Sequence, residues 1–279
     1  MPELPEVATM VGGLNQYTKG LIIKSVKSDW PKIVRRPDWT TFQKTLANKK
    51  IIASKRRGKN ILVTLSDNFT LRLHMKMTGH LLWENYKKDP QNRFIHMEIA
   101  FSNGRHLYLS DMRKFARVEL YDTSNPPQDL LKLGPEPLAK NFTFNKFKNC
   151  LDKKKQGKIK QVLMNQEVIA GIGNIYSDEI LWRACVHPKQ LIKDLDETEL
   201  KSIYSNLKNI LKKGIRLRGD SASDYRDIHG QKGSFQDCHM VYRKTGQNCP
   251  LKNCAGKIER TKVAQRSAHY CNQHQKITV

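Results

Sequence analysis

Near the end of the chain, Cys249 and Cys254 are followed by Cys271 and His274, two close pairs separated by sixteen residues. Three thiolates and an imidazole suit tetrahedral Zn2+. Because the protein supplies all four ligands, the metal would be structural rather than catalytic. His269 is an alternative fourth ligand, while Cys238 and His239 lie before the pairs and are weaker choices. A β-hairpin between the pairs would bring them together and carry Arg260, Lys262 and Arg266, cations suited to a phosphate backbone.

The other end of the chain offers a nucleophile. Removal of Met1 would expose Pro2 as a secondary amine. An α-amine titrates near ~8 rather than the ~10.4 of lysine, so an appreciable fraction is unprotonated at neutral pH. Attack on an aldehyde carbon such as sugar C1′ gives an iminium ion, an electron sink. Glu3 and Glu6, three residues apart, could shuttle protons beside it. The same residues also suit an ordinary helix start, with proline at the first position and glutamates favouring the dipole. Taken alone, the segment favours that plainer reading.

The chain has 279 residues, with 50 Lys plus Arg against 26 Asp plus Glu, a net charge of +24. With 38% hydrophobic residues it can bury a core, so the charge belongs to a folded protein whose default partner is nucleic acid. No apolar run approaches the ~20 residues of a membrane span, and no basic amphipathic anchor is evident. The opening Met1-Pro2-Glu3-Leu4-Pro5-Glu6 is unlike a secretory signal, which predicts an intracellular protein. In a reducing compartment the cysteine cluster favours metal over disulfides, leaving Cys150 and Cys185 as lone thiols.

These groups need elements to position them. Leu4, Val7, Val11 and Leu14 repeat at helical spacing and predict an opening helix. Between Leu21 and Arg117, short β-rich runs (22–26, 61–65, 71–74, 94–101, 106–109) predict an antiparallel sandwich or barrel. Leu133-Gly134-Pro135-Glu136-Pro137 breaks both periods and reads as a linker. Helices follow over 159–166 and 174–185, with Asn174 as a possible cap. A long one carries Leu200, Ile203, Tyr204, Leu207, Ile210 and Leu211 on one face behind an Asp196/Glu199 capping box.

Seven segments occur in order: Met1-Pro2-Glu3-Leu4-Pro5-Glu6-Val7, Arg57-Gly58-Lys59, His74-Met75-Lys76-Met77-Thr78-Gly79-His80-Leu81, Asp111-Met112-Arg113-Lys114-Phe115, 133–138, Gly171-Ile172-Gly173-Asn174-Ile175-Tyr176 and the terminal Cys/His pairs. Together, from first residue to last, they resemble the formamidopyrimidine-DNA glycosylase and endonuclease VIII family of DNA repair enzymes. Leu4, where the endonuclease VIII branch usually has Gly, points to the formamidopyrimidine (8-oxoguanine) branch.

The resemblance implies an α+β multidomain fold: an N-terminal helix with an antiparallel β-sandwich, then a helix-two-turn-helix domain with a C-terminal zinc finger and DNA in the cleft. The implied division is 1–132 (catalytic), 133–150 (linker), 151–236 (helix-two-turn-helix with a lesion-covering loop) and 237–279 (finger). It implies a monomeric glycosylase and AP lyase that excises oxidised purines and then cleaves by β,δ-elimination. The partner would be damaged double-stranded DNA, with no membrane, in the cytoplasm or on the nucleoid. Pro2 would be the Schiff-base nucleophile, Glu3 its acid/base partner, Glu6 a supporting carboxylate, and Lys59 a cation near the damaged nucleotide. His74, Lys160, Asn174 and Arg266 would contact DNA. Met77, Arg113 and Phe115 would fill the gap left by an extruded base. Cys249, Cys254, Cys271 and His274 would hold one structural Zn2+.

The chain departs from the family pattern at Asn165 (often Asp), Ala116 (Gly) and Arg243 (Gly), and in having CxxxxC and CxxH where the family usually has two CxxC pairs. The competing readings are an endonuclease VIII-like pyrimidine glycosylase and a non-catalytic zinc-containing binder of damaged DNA.

Overall fold

The computed structural model describes residues 1–84, 93–222 and 225–277. It divides into two compact units, Met1–Leu131 with Ile215–Gln236, and Lys132–Gly214 with Asp237–Val279.

The first unit opens with helix α1 (Leu4–Tyr17), which buries Leu4, Val7, Met10 and Leu14 along one face. Pro5 in its first turn gives up only an N–H that has no intrahelical acceptor. Among the described residues the strands that follow are β1 (Ile23–Ser28), β2 (Val34–Arg36), β3 (Ile51–Arg57), β4 (Asn60–Leu65), β5 (Phe69–His74), β6 (Gly79–Trp83), β7 (Ile95–Phe101), β8 (His106–Asp111) and β9 (Arg117–Asp122). They form two sheets, ordered β1-β7-β8-β6 and β2-β9-β5-β4-β3. Both sheets and α1 contribute to one core, including Leu14, Ile23, Ile61, Leu73, Leu81, Leu109 and Val118. Full burial of each such side chain is worth up to ~1.5–3 kcal/mol.

The pairs are antiparallel except β2 with β9, which is parallel. A second helix, α2 (Trp39–Leu46), interrupts the stretch read from sequence as strands only. Asp38 caps it by accepting the Thr41 N–H at 3.0 Å, and Phe42 and Leu46 lie one turn apart in the core. Eight residues give too little periodicity to stand out. A short helix, α3 (Gln128–Leu131), closes this stretch.

The 215–236 segment, grouped by sequence with the helical domain, packs within the first unit. Ile228 is buried against Gly13 of α1, where any Cβ would collide with it, and its carbonyl accepts the Trp83 N–H at 2.7 Å. Two residues of the expected lesion-covering loop, Ser223 and Asp224, lie outside the described residues.

The second unit contains α4 (Phe144–Asp152), α5 (Ile159–Leu163), α6 (Asn174–Ala184), α7 (Glu197–Arg216, assigned to it through Gly214) and the hairpin β10 (Ile258–Val263) with β11 (Arg266–Cys271). Helix α4 occupies the end of the stretch read as linker; Thr143 caps it, and Phe147 packs on Phe142. The Asp196/Glu199 capping box forms reciprocally, at 2.7 and 3.0 Å. Helix α5 is shorter than the sequence suggests because Asn165 turns the chain, its side chain accepting the Glu167 N–H at 2.9 Å. An Asp could accept that bond equally well. Gln166 then staples the turn to the residues just before α6, donating to the Met164 and Ile172 carbonyls and accepting the Gly171 N–H, all at 2.8 Å. The Gly-Pro segment docks on this turn; a Cβ on Gly134 would lie 2.5 Å from the Val168 backbone.

Candidate active site and metal centre

Glu3 caps α1 in extended backbone, and Glu6 completes a capping box with it. The Glu3 N–H donates to Glu6 Oε2 at 2.7 Å, and the Asp220 N–H donates to Glu6 Oε1 at the same distance. Pro2, Glu3 (3% exposed) and Glu6 are all buried. Burial holds the Met1 α-amine below its ordinary 8.0; the Glu3, Glu6 and Asp220 carboxylates oppose that effect, and Lys59 reinforces it. The Met1 amine, two buried glutamates and a buried lysine therefore share one electrostatic environment.

Lys59 stands in the two-residue turn between β3 and β4, flanked by the Arg57/Asn60 pair. Asn60 donates across that turn to the Arg57 carbonyl at 3.0 Å and accepts from Arg72 Nε at 2.9 Å. Arg72 is held in turn by Asp129 at 2.7 and 2.9 Å and by Glu119 at 2.9 Å. Sequence reading misses this support because Arg72 looks like one surface cation among 50.

His74 ends β5. Burial, then the Lys76, Arg72 and Lys59 charges, lower its pKa to about 3, so it is neutral at working pH. Its Nδ1 accepts the Lys76 N–H at 3.0 Å, leaving Nε2–H as a donor.

Met77 and Phe115 are 36% and 47% exposed, unusual for apolar side chains beside a core. Arg113 lies over the Phe115 ring, 4.5 Å from its centroid. Asp111, fully buried, accepts the N–H groups of Arg113, Phe115 and Ala116 at 3.2, 2.7 and 2.6 Å, and the Thr78 hydroxyl. Ala116 is fully buried in this frame.

In the second unit Lys160 is 0% exposed. Its Nζ donates to Asp178 (2.5 Å), Ser177 Oγ (3.2 Å) and the Asn174 carbonyl (3.3 Å). An ammonium so engaged is not a surface cation; it braces the start of α6. Gly173 occupies the cap position, and Asn174 is the first helical residue, its buried Oδ1 without a hydrogen-bond partner among the described residues.

The ligating atoms of Cys249, Cys254, Cys271 and His274 lie within 4.8 Å of one another. Cys254 and Cys271 Sγ are 3.6 Å apart, and His274 Nδ1 is 3.5 and 3.6 Å from Cys249 and Cys254 Sγ. A zinc tetrahedron with ordinary bond lengths has edges of roughly 3.8 Å between sulfurs and 3.6 Å between sulfur and nitrogen. The donor set fits that ion. His274 Nε2 lies 3.3 Å from the Trp182 carbonyl, a donor contact that leaves Nδ1 as the lone pair. His269 points elsewhere: its Nδ1 and backbone N–H meet Asp178 Oδ2 at 2.9 and 3.0 Å. His274 is therefore the fourth member.

Between β10 and β11, Ala264 and Gln265 both have positive φ (46° and 62°), the conformation of a tight two-residue hairpin turn. Exposed Arg266 follows directly. Arg243, also at positive φ (61°), sits where the family pattern has Gly, in the backbone region glycine adopts without strain. Glu179, which sequence reading also missed, accepts the N–H groups of residues 240–242 at 3.0–3.1 Å.

Residues 1–118 match the formamidopyrimidine-DNA glycosylase N-terminal domain, and residues 133–226 match that family's H2TH domain. The chain is 39% identical to the formamidopyrimidine-DNA glycosylase of Pelotomaculum thermopropionicum, over 99% of this chain and 100% of the relative. Its structure resembles the Lactococcus lactis Fpg bound to DNA containing an abasic site (33% identity, TM-score 0.87, 98% of this chain and 99% of that one). It also resembles a variant of the same protein bound to Fapy-dG-containing DNA (34% identity, TM-score 0.88, 99% and 100%). With both family domains matched in order and the relatives covered end to end, the chain belongs to the formamidopyrimidine-DNA glycosylase family.

Proposed function

We propose that the chain is a bifunctional DNA glycosylase and AP lyase of base excision repair that removes oxidised purines from duplex DNA. The observation that carries this reading is the burial of Pro2, Glu3, Glu6 and Lys59, with both glutamates and Lys59 acting on the amine of Met1, the residue next to Pro2. Relatives named formamidopyrimidine-DNA glycosylase, and the Fapy-dG complex of one of them, support the substrate class.

With Met1 removed, the Pro2 nitrogen attacks C1′ of the damaged nucleotide. Glu3 moves protons at the sugar. Loss of the base, then opening of the sugar ring by cleavage of C1′–O4′ with a proton passed to O4′, leaves a cationic iminium, which withdraws electrons and permits β- and then δ-elimination of the flanking phosphates. Glu6 holds the start of α1 by accepting the Glu3 N–H. Lys59 and the neutral His74 stand beside this site as donors for phosphate. Met77, Arg113 and Phe115 occupy the gap left by the extruded base, since a lesion inside the stack is out of reach. Asn174 and Arg266 contact phosphates, and Lys160 acts indirectly by holding Asn174. One structural Zn2+ is held by Cys249, Cys254, Cys271 and His274, fixing the hairpin that carries Arg266. The protein acts as an intracellular monomer; no described helix is long and apolar enough to cross a membrane.

Single-turnover excision from duplexes carrying 8-oxoguanine, a formamidopyrimidine or an oxidised pyrimidine tests the reading. Preference for the first two is expected, and preference for the pyrimidine would move the chain to the endonuclease VIII-like alternative.

A further inference from the structure

Asp220 is 214 residues from Glu6 in sequence, yet its backbone N–H lies 2.7 Å from Glu6 Oε1. The approach depends on Gly219, whose φ is +86° and whose missing Cβ would sit 2.7 Å from Glu6 Oε1 and 2.8 Å from its Cγ. The surrounding backbone is pinned as well. Ala222 N–H donates to Asp220 Oδ1 at 3.0 Å, Ser221 N–H to Gln236 at 2.8 Å, and Ser221 Oγ to the Tyr225 carbonyl at 2.8 Å. Tyr225 reaches the Glu6 carbonyl through its hydroxyl at 3.3 Å. Asp220 is 4% exposed. Nothing in the local sequence marks it, since the contact arises only when the 215–236 segment packs on α1.

We propose that Asp220 is a further positioning residue of the Schiff-base site, a counter-charge that favours the cationic iminium over the neutral N-terminal amine. The inference deepens the proposed function and rests on it. In the covalent step, a secondary amine, an aldehyde C1′ and one proton give an iminium and a water. The C–N bond forms, the C–O bond breaks, and no oxidant or reductant is required. Positive charge becomes fixed on nitrogen during that step, so an anion held nearby stabilises the product more than the reactant.

The charged groups that act on the Met1 amine are Glu3 at the cap of α1, Glu6 in α1, Lys59 from the β3–β4 turn and Asp220 from the 215–236 segment, and removal of Met1 passes the amine to the adjoining Pro2. Tyr225 stays neutral, because burial and the Glu6 charge both raise its pKa. Asp220 opposes Lys59. Its anion also favours the ammonium form, so removing the charge has two separable consequences: the free amine persists to lower pH, and the iminium is less stable once formed.

The test is reductive trapping on an abasic-site duplex across pH, with Met1 removal checked by intact mass. Asp220→Asn keeps both the backbone N–H and an oxygen for Ala222. It should move the acid limb of the trapping rate down by about one pH unit, while the fraction trapped at the plateau falls several-fold. Asp220→Glu, which restores the charge, should return the limb toward wild type. A merely structural role would lower the amplitude without moving the limb. An unmoved limb in Asp220→Asn, or a Glu variant that behaves like Asn, overturns the proposal. Absence of any trapped species in the wild type would instead refute the Schiff-base reading beneath it.

Discussion

The buried carboxylate of Asp111 accepts the hydroxyl of Thr78, and both receive the N–H of Arg113, Thr78 Oγ1 at 3.1 Å and Asp111 Oδ1 at 3.2 Å. One contact thus joins the 75–79 turn, which presents Met77, to the 111–116 loop, which presents Arg113 and Phe115. The turn is tight: Gly79 N–H returns to the Met75 carbonyl at 3.0 Å, and a Cβ on Gly79 would lie 2.6 Å from that oxygen.

Asp111→Asn should destabilise the protein by roughly 2–4 kcal/mol, because a neutral amide cannot serve all the N–H groups that the carboxylate serves and brings donors of its own. Thr78→Val should cost about 1–2 kcal/mol. At temperatures where both variants are folded, excision from a lesion duplex should fall more than strand cleavage at an abasic site. Thermal unfolding with paired single-turnover assays would check this, and equal losses on both substrates would remove the gap-filling frame from the account.

Metal content separates the two histidines. Cys254→Ser and His274→Ala should lose one zinc per chain, whereas His269→Ala should keep it and lose stability through Asp178 instead. Atomic emission on purified protein decides. A metal-free wild type, unaffected by a strong chelator, would reject the four-ligand site.

Lys160 and Arg266 should part company in the same way. Lys160→Met leaves the buried Asp178 carboxylate without its ammonium and should cost roughly 3–5 kcal/mol of stability. Arg266→Ala should leave stability nearly unchanged but lower the slope of log K against log[salt] for duplex binding by about one. A salt slope that changes in Lys160→Met but not in Arg266→Ala would reverse these assignments.

His74 predicts a pH dependence. Its folded pKa of about 3 lies below the ordinary 6.5, so acidification protonates the unfolded chain first. Stability from this group is complete above pH 6.5 and is lost as pH falls toward 3. His74→Gln should flatten the decline of unfolding free energy across that window by roughly 1–4 kcal/mol, measured by urea titration at several pH values.

The long elements were legible because their periodicity reports which face is buried: α1, strands β1, β4, β5, β7 and β8, and α7 follow from apolar spacing, whereas β2, β3, β6 and β9 were not read as strands. The Cys249, Cys254, Cys271 and His274 cluster was legible because its pairs are local in sequence. The hidden parts depend on distant contacts. Helix α2 is too short to show a period, α4 lies beside a proline-rich stretch that reads as linker, and 215–236 reads as surface loop until Ile228 meets Gly13. Lys160 shows why charge alone misleads: among 50 cations, only packing reveals the one enclosed with Asp178.

On the proposed mechanism the Pro2 nitrogen forms the covalent link to DNA. Borohydride reduction of the reaction with an abasic-site duplex, followed by proteolysis and mass spectrometry, locates that bond directly. The expected product is an adduct on the peptide beginning at Pro2, with Met1 absent, which is lost in Pro2→Gly while binding to lesion duplex persists. An adduct on a lysine, or full activity in protein that retains Met1, would contradict it.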